Sequence, residues 1–226
     1  MILQSIMSQK IRQEQDSLGK ISLANSNLWG AQTQRSLKNF RIGNTRMPIE
    51  IIHALVIIKM SCAKANQKQK LISPKISNAI VNAAKQVLSG RYDDHFPLSV
   101  WQTGSGTQTN MNVNEVIANL ANKKLSGKLG TNSPVHPNDH VNKSQSTNDS
   151  FPSALNIATS INIIQELLPA LKNMEKTLRS QSQKWKSIIK IGRTHLQDAT
   201  PLSLGQEFSG YQAQIISNIK RVESAL

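Results

Sequence analysis

The chain contains little cysteine and few aromatic residues. Its single cysteine, Cys62, excludes an internal disulfide framework and indicates a reducing compartment, so we expect a cytoplasmic protein. Aromatic residues make up 4% of the sequence, which favours a helical protein built from alanine, isoleucine, leucine and valine over a β-sandwich. No apolar run approaches the ~20 residues of a membrane-spanning helix, so no membrane partner is predicted.

Acidic residues are also scarce, at 13 against 27 lysines and arginines, which gives a net charge of +14. Such an excess is typical of nucleic-acid-binding proteins. The lysines are scattered, however, and no aromatic residues interleave with them as a stacking surface requires, so we expect no nucleic-acid partner. An anionic small substrate, or an acidic portion missing from the chain, explains the charge as well. The five histidines lack cysteine partners and ligand spacing, so we predict no metal and no cofactor.

Hydrophobic periodicity predicts a mainly α fold. Residues 14–47 are expected to be extended and irregular, with short strands near residues 21–23 and 39–42. Pro48 and Ser73-Pro74 mark the starts of two helices, and Gly90 follows the second. A third helical pattern runs from Met111 and ends near Gly127.

Longer helical patterns occupy the rest of the chain. One begins near Pro152 and is expected to kink at Pro169, and Thr200-Pro201 is expected to start another. Helices of this length are typical of a bundle. We therefore predict a disordered N-terminus at residues 1–13, a mixed domain at residues 14–143 and the first long helices of a bundle at residues 144–226. The last pattern is still periodic at Leu226, which suggests a truncated chain whose final helix exposes an unpartnered apolar stripe and promotes self-association.

The most informative segment is QTGSGTQTNMN at residues 102–112. Its glycines allow positive φ angles and close approach of a ligand, and Ser105, Thr107 and Asn110 can donate hydrogen bonds without adding charge. Because the helical pattern follows directly, the free N–H groups and the dipole of a helix N-terminus favour an anion here. Taken alone, the segment is more typical of a polar connector with an ordinary N-cap than of a binding loop.

Four other polar segments accompany it: WGAQTQRS at residues 29–36, HPND at 136–139, STND at 146–149 and GRTHLQDA at 192–199. Together with residues 103–112, these motifs resemble the class II fumarate hydratases of the fumarase/aspartase superfamily. The resemblance covers most of residues 14–226 and corresponds to the N-terminal half of that family. The GSG at residues 104–106, His136 and His195 are similar to the fumarases and differ from the aspartate ammonia-lyases.

The resemblance implies a hydro-lyase of the tricarboxylic acid cycle that interconverts fumarate and (S)-malate and assembles as a homotetramer. It implies substrate-binding roles for the following residues: Ser105, Gly106, Thr107, Ser146, Thr147, Asn148 and Thr194. His195 would hold or activate the reacting water, and a second dicarboxylate site would comprise His136, Pro137, Asn138 and Asp139. As alternatives, His195 is a structural histidine and His136 an ordinary loop residue.

One motif of the family is absent from these 226 residues: the mobile Gly-Ser-Ser loop that carries the base serine. Two functional hypotheses therefore remain. The chain is a fumarate hydratase that is active only when the missing half is supplied, or it is an inactive remnant that binds dicarboxylates or a full-length partner. We expect no measurable fumarate hydration by residues 1–226 alone. Turnover by a pure preparation, followed by the absorbance of fumarate, would overturn that expectation.

Overall fold

The computed structural model describes residues 10–226, whose contacts divide them into two units that separate after Ala158. The domain boundary predicted after residue 143 is a different division of the chain and stays a prediction. Residues 1–9, the larger part of the predicted disordered N-terminus, lie outside the described residues.

The first unit begins with an antiparallel hairpin of strands β1 (Ile11–Asp16) and β2 (Gly19–Ala24), in which Ile11 lies opposite Ala24. The guanidinium of Arg12 donates to Glu14 Oε1 at 2.7 Å and to the carbonyl oxygen of Trp29 at 2.7 Å. These bonds join the hairpin to the segment that follows it. The strand at residues 21–23 is confirmed, whereas residues 11–13 belong to β1 and not to a disordered terminus.

Helix α1 (Ala31–Asn39) lies where the sequence predicted irregular chain, so that prediction was wrong. No strand forms at residues 39–42 either: Asn39 is the last residue of α1, and residues 40–42 have no regular secondary structure. The N-cap position of α1 is Gly30, which has no capping side chain of its own. A distant residue caps this helix instead: Glu115 accepts from the backbone N–H groups of Gly30 and Thr33.

Helices α2 (Ile49–Lys68) and α3 (Pro74–Leu88) begin directly after Pro48 and Ser73, as the sequence predicted. Helix α4 (Thr107–Ser126) ends at the predicted Gly127 but begins before the predicted Met111. Ser73 caps α3 by accepting from the N–H of Ile76, and Gly127 ends α4 with a φ of 72°. The three helices contact each other through fully buried apolar side chains, among them Leu55, Val56, Ile80, Val87, Val113, Val116 and Ile117. No described helix is both long enough and apolar enough to cross a membrane.

Helix α4 is buried on its polar side as well as its apolar side. Every residue from Thr109 to Asn122 is buried, including five asparagines. Two of them hold loops through their side-chain amides: Asn119 donates to the carbonyl of Leu28 at 2.9 Å, and Asn122 donates to the carbonyl of Val135 at 2.8 Å. The central helix therefore orders the surrounding loops while it forms the core.

Helix α5 (Thr147–Asn162) is followed by a π-helical turn (Ile163–Leu167) and by α6 (Leu168–Lys184). The turn lies immediately before Pro169, whose ring would collide with the carbonyl of the preceding turn and which offers no N–H. The regular α-helix is interrupted here by a widened turn, and the kink expected at Pro169 stays a prediction.

The second unit continues with strands β3 (Ile189–Thr194) and β4 (Gln197–Ser203) and with helix α7 (Leu204–Ser224). Thr200-Pro201 lies in β4, where Pro201 pairs with Ile191, so the predicted helix start was wrong. Ser203 and Gln206 instead form a reciprocal capping box. Helix α7 packs on α6 within this chain, for example through the rings of Phe208 and Trp185, whose centroids lie 4.7 Å apart.

Candidate functional site

The first turn of α4 is built around Gly106. This residue has a φ of 71°, and a Cβ atom added there would lie 2.4 Å from the ring of Phe151. Glycine is therefore required both by the backbone conformation and by the approach of α5. Beside it, the hydroxyls of Ser105 and Thr107 lie 2.9 Å apart. Gln102 completes the turn, since its Oε1 accepts from the N–H of Thr109 at 3.0 Å.

The first turn of α5 carries the second donor-rich segment. The Oγ of Ser146 accepts from the N–H of Asn148 at 3.3 Å, so Ser146 caps the helix that Thr147 begins. The buried side chain of Asn110, from the first turn of α4, donates to Thr147 Oγ1 at 3.0 Å. Two helix N-termini are therefore joined side by side through an amide and a hydroxyl.

This arrangement suits an anion. Both helix N-termini present the positive ends of their dipoles, while Gln102 and Ser146 cap the N–H groups of Thr109 and Asn148. Because Thr147 Oγ1 accepts from Asn110, its own proton is available to a ligand. The side chains of Ser105, Thr107 and Asn148 add hydroxyl and amide donors without charge. The structure therefore brings together six of the predicted substrate-binding residues within the first unit: Ser105, Gly106, Thr107, Ser146, Thr147 and Asn148.

A buried network that no sequence pattern predicted lies beneath these turns. Lys59 of α2 is fully buried, and its Nζ donates to Asn142 Oδ1 at 2.7 Å and to Gln145 Oε1 at 2.9 Å. Asn142 Oδ1 also accepts from Asn110 Nδ2 at 3.2 Å. Burial lowers the pKa of Lys59 to about 7. The available signal was one lysine within the otherwise apolar run of residues 54–60.

The four residues of the predicted second dicarboxylate site lie on one π-helical turn (Pro137–Val141) and its cap. His136 Nδ1 accepts from the N–H groups of Asn138 and Asp139, both at 3.2 Å, and lies 3.3 Å from the Asp139 carboxylate. These bonds orient the imidazole and leave its Nε2 for other partners. The second site itself stays a prediction.

A cavity of about 260 Å³ adjoins this turn and is lined in part by His136, Pro137 and Asn138. Glu14, Asp16 and Glu115 also line it. Burial raises the pKa of both glutamates, whereas the hydrogen bond from Arg35 lowers the pKa of Asp16. Arg12 pairs with Glu14 and Arg35 pairs with Asp16, so the charges of these two carboxylates are compensated. Within residues 10–226, no three His, Cys, Asp or Glu side chains are grouped as metal ligands would be.

Thr194 and His195 belong to the second unit, where they lie at the β3–β4 hairpin. His195 and Leu196 form its two-residue turn with φ angles of 52° and 61°. Two successive positive φ angles are the geometry of a type I′ turn, which matches the twist of the flanking strands. The side chains of Thr194 and His195 are both exposed in this unit. His195 is therefore presented on a two-residue turn.

Comparison with known proteins assigns the class of protein. A protein-family model described as Lyase matches residues 19–226, and the chain belongs to this family of lyases. It is similar to the class II fumarate hydratase 2 of Bradyrhizobium diazoefficiens, with 56% identity over 95% of this chain and 46% of that protein. It is likewise similar to the class II fumarate hydratase of Rickettsia bellii, with 56% identity over 95% of this chain and 46% of that protein.

Solved structures agree with this assignment. The crystal structure of class II fumarase from Schistosoma mansoni matches with a TM-score of 0.92 and 45% identity, over 95% of this chain and 45% of that one. A fumarate lyase:delta crystallin from Brucella melitensis, bound to cobalt, matches with a TM-score of 0.90 and 37% identity, over 95% and 47% of the two chains. The mainly α, fumarase/aspartase-like fold predicted from the sequence is thus confirmed. The chain spans about 46% of the length of the curated relatives that it matches.

Proposed function

We propose that this chain forms part of a class II fumarate hydratase, which interconverts fumarate and (S)-malate, and that the paired N-termini of α4 and α5 bind the substrate carboxylates. The hydrogen bond between Asn110 and Thr147, at 3.0 Å, carries this proposal because it joins the two donor-rich turns. The class II fumarate hydratases among its relatives support the choice of substrate.

The proposed chemistry uses neutral donors. Removal of a proton next to a carboxylate places additional negative charge on that group, and fixed hydroxyl, amide and N–H donors stabilise this charge as it develops. Ser105, Thr107, Thr147 and Asn148 would supply such donors. Thr194 and His195 would complete the pocket, with the imidazole holding or activating the water. A reducing, cytoplasmic location is proposed from the single free Cys62.

Dicarboxylate binding tests the proposal directly. Titration calorimetry with fumarate, (S)-malate and succinate is expected to show saturable binding to the chain. Replacing Thr147 with valine keeps the shape but removes a hydroxyl donor to a charged ligand, so we expect the Kd to rise about tenfold or more. Thr177, an exposed residue of α6, provides the matched control Thr177→Val, for which we expect an unchanged Kd. Equal binding by both variants would contradict the assignment of Thr147.

Binding without turnover is the other functional hypothesis, in which the chain is an inactive remnant. The same preparation, mixed with fumarate and followed by the loss of its conjugated absorbance, separates the two hypotheses. Binding with no absorbance change is the expected result for residues 1–226, because the base-bearing Gly-Ser-Ser loop is not among them.

We also propose that copies of this chain associate, as in a homotetramer. The second unit supports this, because Leu168 is its one buried hydrophobic side chain among the described residues, while Ile164 is 56% and Ile189 72% exposed. Such large exposed apolar side chains are typical of an interface.

Light scattering is therefore expected to give a mass that is a multiple of 25.0 kDa. The charge substitution Ile164→Glu should lower that mass, whereas Thr159→Glu, an exposed position on a different face of α5, serves as the control. A wild-type chain that remains a monomer across a concentration series would refute association.

A further inference from the structure

The strongest unexplained feature is the amine of Lys59. Among residues 10–226 it is the one fully buried basic side chain, and both of its hydrogen-bond acceptors are neutral amides, those of Asn142 and Gln145. A buried ammonium without a carboxylate partner is costly. Methionine or leucine would fill the same place in α2 without that cost, so the structural role of a core residue does not account for a lysine here.

The two residues that accept hydrogen bonds from Lys59, Asn142 and Gln145, lie in the turn that precedes α5. Gln145 immediately precedes Ser146, and its Nε2 donates to the carbonyls of Val141 at 3.0 Å and Lys143 at 3.3 Å. Asn142 Nδ2 in turn donates to the carbonyl of Gln145 at 3.3 Å. The turn at residues 141–146 is thus folded around the Lys59 amine.

A second path reaches Thr147. Asn142 Oδ1 accepts from both Lys59 and Asn110, and Asn110 donates to Thr147 Oγ1. Three hydrogen bonds in sequence therefore connect the amine to a hydroxyl of the proposed ligand site. Within this site the donors themselves are uncharged, so Lys59 is the cation that lies behind them.

We propose that Lys59 is the positioning residue of the Ser146–Thr147–Asn148 turn, and that a dicarboxylate bound at this turn is accompanied by uptake of a proton onto the Lys59 amine. This inference rests on the proposed function for its ligand, while the positioning role concerns the unliganded chain. A nearby dianion in a buried environment favours the ammonium form over the neutral amine.

The titratable groups near Lys59 determine whether its amine can take up a proton when a ligand binds. The Cys62 thiol, one turn along α2, is the titratable group whose charge acts on the amine, and Asp149 of α5 acts on Cys62. The turn contributes Lys143, and the π-helical turn before it contributes Asp139 and His140. The lysines of α3, Lys75 and Lys85, are exposed. Because burial lowers the pKa of Lys59 to about 7, a proton is available for exchange near neutral pH.

Proton uptake is measured by titrating succinate into the chain at pH 8 in buffers of different ionisation enthalpy. We expect net uptake of about 0.4 of a proton at pH 8 in the wild type, and an affinity that falls about tenfold between pH 6 and pH 9, because both follow from a one-unit rise of the pKa of Lys59 from about 7. The variant Lys59→Met should take up no proton and bind about tenfold more weakly at pH 6. Lys68→Met, an exposed position of the same helix, should match the wild type.

A ligand-free measurement separates this inference from the proposed function. Amide hydrogen exchange of residues 146–148 is expected to accelerate at least about tenfold in Lys59→Met, while the core amides of α3 and α4 keep their protection and show that the variant folds. Unchanged exchange at the turn would overturn the positioning role. Binding of succinate without proton uptake would overturn the coupling but leave the proposed function standing. Failure of the wild type to bind any dicarboxylate would overturn both the coupling and the proposed function.

Discussion

Replacing Glu115 with alanine is expected to lower the free energy of unfolding by on the order of 3–5 kcal/mol, because each buried donor left without a partner costs about 1–3 kcal/mol. The carboxylate accepts from the N–H groups of Gly30 at 2.8 Å, Gln32 at 2.9 Å and Thr33 at 3.2 Å. These are donors of the first turn of α1, which has no side-chain cap of its own. A loss of this size approaches the whole stability of an ordinary domain.

Urea denaturation followed by circular dichroism measures this effect. Glu50→Ala is the matched control, since Glu50 is an exposed glutamate in the first turn of α2 and its loss should cost at most about 1 kcal/mol. The variant Glu115→Gln keeps the shape and one acceptor oxygen, so an intermediate loss is expected. Equal stability of Glu115→Ala and Glu50→Ala would show that the distant cap does not hold α1.

The second large effect is a pH-dependent stability difference between the wild type and Lys59→Met. The pKa of Lys59 is about 7 in the folded chain and 10.5 in the absence of burial. Below pH 7 both states bind the proton, so the difference is constant. Between pH 7 and 10.5 the unfolded chain retains a proton that the folded chain has released, and the wild type gains about 1.4 kcal/mol per pH unit relative to the variant. This contribution is complete above the unfolded pKa and is lost as the pH falls through the folded pKa.

Urea denaturation at pH 6, 7.5 and 9 checks the sign and the slope. Methionine has nearly the volume of lysine without its charge, so the variant removes the titration with little loss of packing. The exposed Lys68→Met should follow the wild type at every pH. A wild-type minus Lys59→Met difference that stays flat across this range would mean that Lys59 keeps an ordinary lysine pKa.

Local signals predicted the helices that carry their own boundaries. Pro48, the Ser73-Pro74 pair and Gly127 act on the backbone within one turn of their position, and the structure places α2, α3 and α4 accordingly. Helix α1 has no such signal, because its cap comes from Glu115, 85 residues away from Gly30 in the chain. Its short run of glutamines, threonine and serine therefore resembles a loop until the partner is in place.

The β3–β4 hairpin was missed for a related reason. Its turn is formed by His195-Leu196 and contains neither glycine nor asparagine, the usual residues for two positive φ angles. Thr200-Pro201 has the sequence pattern of a helix start, but the capping box that begins α7 is formed by Ser203 and Gln206. Thr200 and Ser203 are both suitable N-cap residues by their local sequence. The pairing of Pro201 with Ile191 across the hairpin excludes Thr200 and leaves Ser203 as the cap.

By itself, the sequence determined the mainly α class, the helix boundaries marked by proline, serine or glycine at α2, α3 and the end of α4, and the uncharged donor-rich segments, because these depend on neighbouring residues and on periodicity. Only the tertiary structure decided that Asn110 joins the first turns of α4 and α5, that Glu115 caps α1 and that an amine lies buried behind the site. Each of these is a hydrogen bond between residues far apart in the chain. Its strength comes from burial, which no local pattern of residues specifies.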